Sequence, residues 1–249
     1  MKSYISISNL NKSFASNHVL SGVNLEIAGG DAIVIIGGSG TGKSVLIKTI
    51  AGLIEPDSGS IKIDGMEVNN ISNTNYRNLT KKFGFLFQGG ALFDSLTVWE
   101  NIAFALVNNK LKTKAQAKEI AFDKLSKVGL SNNIGMLYPS ELSGGMQKRV
   151  ALARAISTEP EILFFDEPTT GLDPIMANVI NDLIVRCSEE LKATTITITH
   201  DMNSVKQIAK RVAMIHKGNI IWDGKIDNLF SSDNEFVDQF VHGNIAGPL

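Results

Sequence analysis

An α/β fold built on a largely parallel sheet is the prediction for this chain, and three observations carry it. Short continuous apolar runs, at Ala32–Ile36 and Ile162–Phe165, have the pattern of strands buried on both faces. Stretches with helical spacing follow such runs. A glycine-rich loop, GGSGTGKS at Gly37–Ser44, joins the first run to the first helix. Strands alternating with helices in this way form crossover units and hence parallel pairings.

Taken in order, Tyr4–Leu10 alternates polar and apolar residues, with Ile5 and Ile7 on one face, and Val23–Ile27 does the same. Ala32–Ile36 is the first buried strand. Val45–Leu53 has helical spacing and stops near Gly52, before Pro56. Ile61–Ile63 and Phe83–Phe87 read as further strands. From about Gly89 to Thr158 the character becomes helical. Ala115–Leu130 is rich in Ala and Lys, with Ile120, Leu125 and Val128 at roughly helical spacing, and Gly144–Ser157 is a helix with Ser143 as its N-cap. Strands resume at Ile162–Phe165, Thr195–Thr199 and Val212–His216, with a helix over Pro174–Leu191. Gly224–Leu249 reads as a helix and a tail with scattered aromatics. The apolar Phe236, Val237, Phe240 and Val241 prompt the expectation that this tail reaches across to a second copy.

The chain has 249 residues, 43% of them hydrophobic, and a mean hydropathy of +0.07. That suffices for one full core, with one domain and an inserted subdomain as the expectation. The net charge of −1 and pI of about 6.4 leave no basic footprint, so no nucleic-acid partner is expected. Cys187 is the single cysteine, which excludes an internal disulfide and fits a reducing compartment. No apolar stretch approaches the roughly 18 residues that span a bilayer. The N-terminal residues lack the apolar region of a signal peptide. Any membrane role is expected to come through a partner.

Three motifs carry chemistry. Gly37, Gly42, Lys43 and Ser44 satisfy G-x-x-x-x-G-K-[ST]. Glycines let backbone N–H groups approach phosphate closely, and the following helix turns its positive end to the anion. Lys43 would reach the β and γ phosphates, and the Ser44 hydroxyl would bind Mg²⁺. The pair Asp166-Glu167 ends a buried strand, at the edge where ligands bind in open α/β sheets. Asp166 would hold Mg²⁺ through its water shell, and Glu167 would orient or deprotonate an attacking water. Between them lies Leu142-Ser143-Gly144-Gly145-Met146, a second anion-binding turn that a single phosphate-loop site does not need. It suggests two copies of the chain sharing two nucleotides.

In combination and order these motifs resemble the nucleotide-binding subunits of ATP-binding cassette (ABC) transporters, from about Ser3 to Asp223. GGSGTGKS looks like the Walker A loop, ILFFDE like Walker B and LSGGM like the signature. Gln88 resembles the Q-loop glutamine, Thr170–Asp173 the D-loop, and His200 the switch histidine. Phe14 stands where the family stacks an aromatic ring on adenine. Three departures are mild: Met146 where Gln is commonest, Phe14 for Tyr, and Gly171 for Ala.

The resemblance implies a P-loop NTPase (RecA-like) core with an antiparallel β subdomain at 1–90 and 158–224. It implies an inserted helical signature subdomain at 91–157 and a C-terminal helix and tail at 225–249. ATP and Mg²⁺ are the implied cofactors. The implied nucleotide contacts are Phe14, Gly37, Gly38, Ser39, Gly40, Thr41, Gly42, Lys43, Ser44 and Val45, with Ser143, Gly144, Gly145 and Asp173 acting from a second copy. Glu167, His200 and Gln88 are the implied catalytic groups, and Ser44, Gln88 and Asp166 the implied metal ligands. His18, His216 and His242 keep no such role.

Met146, the stretch QGGALFDSLTVWENIAF after Gln88, and the tail FVHGNIAGPL resemble the ATPases of MCE-type (Mla-like) lipid transport systems. That implies a membrane permease, an MCE-domain lipid-binding protein, and a peripheral position on the cytoplasmic face of a bacterial inner membrane. Ala91, Leu92, Phe93 and Leu96 would then meet the permease as a helix in a groove. Other ABC importers or exporters are an alternative. A non-transporting ABC ATPase on nucleic acid or ribosomes fits less well, because this is one compact cassette of acidic pI. A single-site P-loop kinase or GTPase would leave the signature and His200 without a task.

Overall fold

A computed structural model describes residues 3–69 and 71–249. Met1, Lys2 and Asn70, which fall within the expected core segment 1–90, lie outside the described residues. In chain order the elements are β1 (Ser3–Phe14), β2 (Asn17–Ala28), β3 (Ala32–Ile36), α1 (Lys43–Ile50), β4 (Ser58–Ile63), β5 (Met66–Glu67) and α2 (Asn73–Thr80). Then come β6 (Phe83–Leu86), α3 (Val98–Asn108), α4 (Lys114–Lys127), α5 (Gly144–Ile156), β7 (Ile162–Asp166) and α6 (Pro174–Leu191). Last are β8 (Thr194–Ile198), α7 (Met202–Ile208), β9 (Arg211–His216), β10 (Asn219–Lys225) and α8 (Glu235–His242).

The chain divides into two compact units, one of residues 1–80 with 194–249 and one of residues 81–193. In the first unit β1 pairs antiparallel with β2 on one side and β4 on the other. The alternation seen in the sequence sets this register. Ile5, Ile7, Leu25, Ile27, Ile61 and Ile63 are all buried while their polar neighbours face out. Each such side chain contributes about 1.5–3 kcal/mol relative to exposure.

A second layer of the same unit is parallel. β3 pairs with β8 on one flank and β9 on the other. Four of the five residues in β3 are buried, which is what a continuous apolar run predicts for a strand covered on both faces, and every residue of β8 is buried too, its three threonines included. β9 turns into β10 through Lys217 and Gly218, at φ 45° and 77°. Two successive positive φ values match the twist of a two-residue hairpin.

In the second unit β6 runs parallel to β7, all of whose residues are buried. Phe83 meets Phe164 edge-on at 5.3 Å, and Phe85 stacks on Phe164 at 5.4 Å. Gly84 of β6 is buried and lies directly on α5, where a Cβ would collide with the Ala155 carbonyl. α3, α4 and α5 pack on one another within this unit. α3 starts at Thr97, whose N–H and hydroxyl both donate to the Glu100 carboxylate at 3.0 and 2.8 Å. Those bonds hold the Glu100 carboxyl below its usual range. α4 starts with the reciprocal pair Thr113–Gln116.

α8 carries an apolar face that buries Val237, and Gln239 of the same helix is also buried. The tail folds back on that helix. Gln239 Nε2 donates to the Asn244 carbonyl at 3.1 Å, and the Leu249 N–H donates to Gln239 Oε1 at 2.7 Å. Among the described residues no helix is long and apolar enough to cross a membrane.

Candidate functional site

The phosphate loop lies in the first unit, between β3 and α1. Gly42 is the N-cap of α1 at φ 101°, a conformation that an L side chain rarely adopts. A Cβ there would sit 2.7 Å from the Val19 carbonyl oxygen of β2, so the chain needs glycine twice over. Lys43 is buried, and its ammonium donates to the Gly37 and Gly38 carbonyls at 2.8 Å each. Thr41 Oγ1 donates to the Gly38 carbonyl at 2.9 Å, which tightens the loop. Ser39 and Gly40 form its exposed crest, while Ser44 and Val45 are half-buried in the first turn of α1.

The parallel register brings His200 to the same sheet edge. Ile35 of β3 lies opposite Ile198 of β8, so Gly37 and His200 both stand two residues beyond a matched pair. His200 is exposed and is followed by Asp201, which caps α7 through the Asn203 and Ser204 N–H groups. Phe14 is 48% exposed and carries Lys12 Nζ 5.4 Å from its ring centroid. A half-open ring is what stacking on a planar base requires.

The second unit gathers Gln88, Asp166 and Glu167 by the same logic. Leu86 of β6 pairs with Phe165 of β7, and the three polar residues follow directly at that edge. Asp166 is 4% exposed, whereas Gln88 is exposed. Glu167 is held at φ 46°, and Thr170 Oγ1 donates to its Oε2 at 2.8 Å. A glutamate in the left-handed region is strained by roughly 1–3 kcal/mol, a cost characteristic of functional positions.

The signature turn opens α5. Ser143 is the exposed N-cap, with its Oγ accepting from the Met146 N–H at 3.3 Å, and Gly144 is exposed beside it. Gly145 is half-buried and lies against the flexible Met176 side chain, whose Cε a Cβ there would meet at 2.8 Å. Met176 lies in the first turn of α6, whose cap is Asp173. The Asp173 Oδ1 accepts from the Ile175 and Met176 N–H groups at 3.0 Å each. Signature turn and Asp173 therefore lie side by side.

Two cations missed by sequence reasoning also belong here. Lys148 Nζ donates to the Gln88 carbonyl, and Arg154 donates to the Gly90 and Ala91 carbonyls at 2.7 Å each. Burial pushes the Lys148 ammonium's pKa down, against the pull of Asp166 and Glu167. Burial likewise lowers that of Arg154. In the sequence both read as ordinary charges on a helix, and only the packing separates them from solvated ones.

The residues fit MgATP. The left-handed glycine cradle around a buried ammonium suits a polyphosphate. Among the described residues no group of three His, Cys, Asp or Glu side chains could hold a metal alone. Magnesium that takes much of its coordination from the nucleotide's phosphates and from water needs no such group. When bound, the cation would neutralise charge developing on the phosphoryl oxygens.

Comparison with known proteins agrees. The family model described as ABC transporter matches residues 20–170. The chain is 37% identical over 98% of its length to the probable ribonucleotide transport ATP-binding protein Mkl of Mycobacterium leprae, covering 70% of that protein. It is 38% identical, over 98% of its own length and 92% of the relative's, to the intermembrane phospholipid transport system ATP-binding protein MlaF of Haemophilus influenzae. A dimeric ATP-binding cassette in a post-hydrolysis state with ADP and Pi superposes with a TM-score of 0.83 at 29% identity, over 89% of this chain and 98% of that one. The fold is that of a P-loop NTPase cassette, the cofactors are ATP and Mg²⁺, and the activity is ATP hydrolysis. On the motifs, the geometry and the relatives together, the chain belongs to the ABC transporter family, as one of its ATPases.

Proposed function

We propose that this ATPase drives a permease that moves phospholipid between the inner and outer membranes of a bacterial cell, from a peripheral position on the cytoplasmic face. The observation that carries the reading is the likeness to MlaF, which extends over nearly the whole of both chains. Met146 and the stretch after Gln88 support it. In that stretch Phe93 is 43% exposed, and its ring lies 4.5 Å from that of Phe104, itself partly open. Val107 and Leu111 are exposed as well. These apolar side chains of the second unit offer a surface for a permease helix.

In this reading two copies pack head to tail around two MgATP. Phe14 stacks on adenine. Lys43, Ser44 and the N–H groups of residues 37–45 hold the phosphates. Ser143, Gly144 and Gly145 of the other copy close on the γ-phosphate, with Asp173 beside them. Ser44, Gln88 and Asp166 hold the cation, Glu167 takes the proton from the attacking water, and His200 donates to the γ-phosphate. The exposure of Ser143, Gly144, Asp173 and the 76%-exposed Ile175 favours a partner there.

The test is purification of the chain with its native membrane partners. Co-purification of a permease and an MCE-domain protein is the expected result. Capture with a substrate-binding lipoprotein for amino acids or another small solute, and no MCE protein, would instead support an importer.

A further inference from the structure

The segment after β6 lies flat on α5. Lys148 Nζ holds the Gln88 carbonyl, and Arg154 holds the carbonyls of Gly90 and Ala91. Between these anchors a Cβ on Gly90 would lie in van der Waals contact with Ala151 Cβ, at 3.6 Å. Gly90 and Ala91 have φ of 73° and 48°. Ala91 carries a side chain in the left-handed region, a conformation that persists only where surroundings over-determine it. Residues 88–91 and α5 are therefore joined by three main-chain acceptors and two cations.

α5 is also the helix whose N-cap and first turn are the signature. Lys148 is 7% exposed on that helix and stands within electrostatic reach of Asp166 and Glu167. A buried ammonium needs a hydrogen-bond acceptor, and the Gln88 carbonyl is that acceptor for Lys148. Burial of a lysine for packing alone would be served as well by methionine or leucine.

We propose that Lys148 is a positioning residue for hydrolysis: it fixes the Gln88 segment, which ends at the same strand edge as Asp166 and Glu167, to the signature helix. Engagement of Ser143 and Gly144 with a nucleotide then sets the water-directing groups at the other end of the same connection. The proposal rests on the roles given above to Asp166 and Glu167. It assigns Lys148 no contact with substrate.

The experiment compares K148M, K148Q and K148R in the full-length chain by MgATP hydrolysis, nucleotide affinity and thermal melting. K148M removes donor and charge, K148Q keeps a donor, and K148R keeps both. Expected for K148M is a fall in kcat of about tenfold or more with KM within about twofold, the signature of a lost transition-state arrangement. K148Q should fall between, and K148R should recover activity to within about threefold of wild type. A K148M kcat within about twofold of wild type overturns the proposal, as does a loss in all three variants that tracks melting temperature. Glu167→Gln is measured alongside. Should it hydrolyse at the wild-type rate, the carboxylate assignment fails and the proposal with it. Should it be inactive while K148M is fully active, Lys148 alone has been misassigned.

Discussion

Substituting Gly42 by alanine tests whether the phosphate loop is built as described. Gly42 has φ 101° and ψ 3°. A left-handed backbone costs an L residue about 1–2 kcal/mol. The new Cβ would also stand 2.7 Å from the Val19 carbonyl oxygen, 3.2 Å from Leu20 Cδ2 and 3.3 Å from Val19 Cγ1. The first of these is a main-chain atom of β2 and cannot swing aside, so relief must come from the loop. Overpacking of this kind costs about 1–3 kcal/mol. Together these give roughly 2–5 kcal/mol, or about thirtyfold to several thousandfold in an equilibrium constant. The loop is exposed at Ser39 and Gly40, so it can shift, and the cost then falls on phosphate affinity rather than on folding. Titration with a fluorescent ATP analogue should show binding weakened at least about thirtyfold, with melting lowered by only a few degrees. Gly40→Ala is the control. Gly40 has φ 75° but nothing within 4 Å of a Cβ, so only the conformational cost of about 1–2 kcal/mol applies. Equal or stronger weakening in Gly40→Ala, or Gly42→Ala binding within about threefold of wild type, would refute the reasoning.

Glu167→Gln should retain ATP binding while hydrolysis drops about a hundredfold or more, and size exclusion with ATP should show a trapped dimer; unchanged steady-state hydrolysis would remove Glu167 from the role of base. Ser143→Arg places a bulky cation on the exposed cap and should abolish hydrolysis by blocking closure of two copies. Monomer ATP affinity, read by the same fluorescent titration, should stay unchanged, and its loss would put Ser143 in the same chain's site. Glu159 accepts from Lys124 Nζ at 3.0 Å, and this bond holds its carboxyl below the ordinary 4.5. A lowered folded-state pKa means its stabilisation is full above that value and is lost as pH falls through the folded pKa. Glu159 is exposed, so the contribution is small. Glu159→Gln should flatten the denaturant-midpoint profile below pH 4.5, and parallel profiles would contradict the pairing.

Elements with one dominant local signal were legible in the sequence. The helix over Pro174–Leu191 was placed to the residue, because Asp173 caps it, Pro174 opens it and its apolar spacing is continuous. β3 and β7 announced themselves as unbroken apolar runs. α2, by contrast, went unseen. Its sequence NTNYRNLT has no apolar period, and it stands through tertiary contacts such as Leu79 burial and the Tyr76 hydroxyl donating to the Gly52 carbonyl at 3.1 Å. α3 was hidden for the opposite reason, since VWENIAFALVN is apolar on most sides. The Thr97–Glu100 pairing that starts it is the local signal the sequence does carry. β10 and α7 also escaped, although Lys217-Gly218 and Asp201 mark their starts. The phosphate loop, the carboxylate pair and the signature could be read because their chemistry fixes residue types at fixed spacing. Lys148 and Arg154 could not, because what distinguishes them is the carbonyl each one reaches across the fold.

The two signature glycines illustrate the same division within one motif. A Cβ on Gly144 would meet nothing within 4 Å, whereas one on Gly145 would meet Met176 Cε at 2.8 Å. Gly144 is thus small on the exposed side, where a bare N–H can meet an anion at the positive end of α5. Gly145 is small on the packed side, where α5 approaches α6. The consequence runs to Asp173, since the Met176 N–H is one of the two groups its carboxylate caps. The turn that would meet a nucleotide and the residue that would answer from the neighbouring loop come side by side where Gly145 meets the Met176 side chain. The two glycines of the signature therefore stand in different surroundings, with Ser143 and Gly144 presenting the anion site and Gly145 lying against the α6 side chain next to the Asp173 cap.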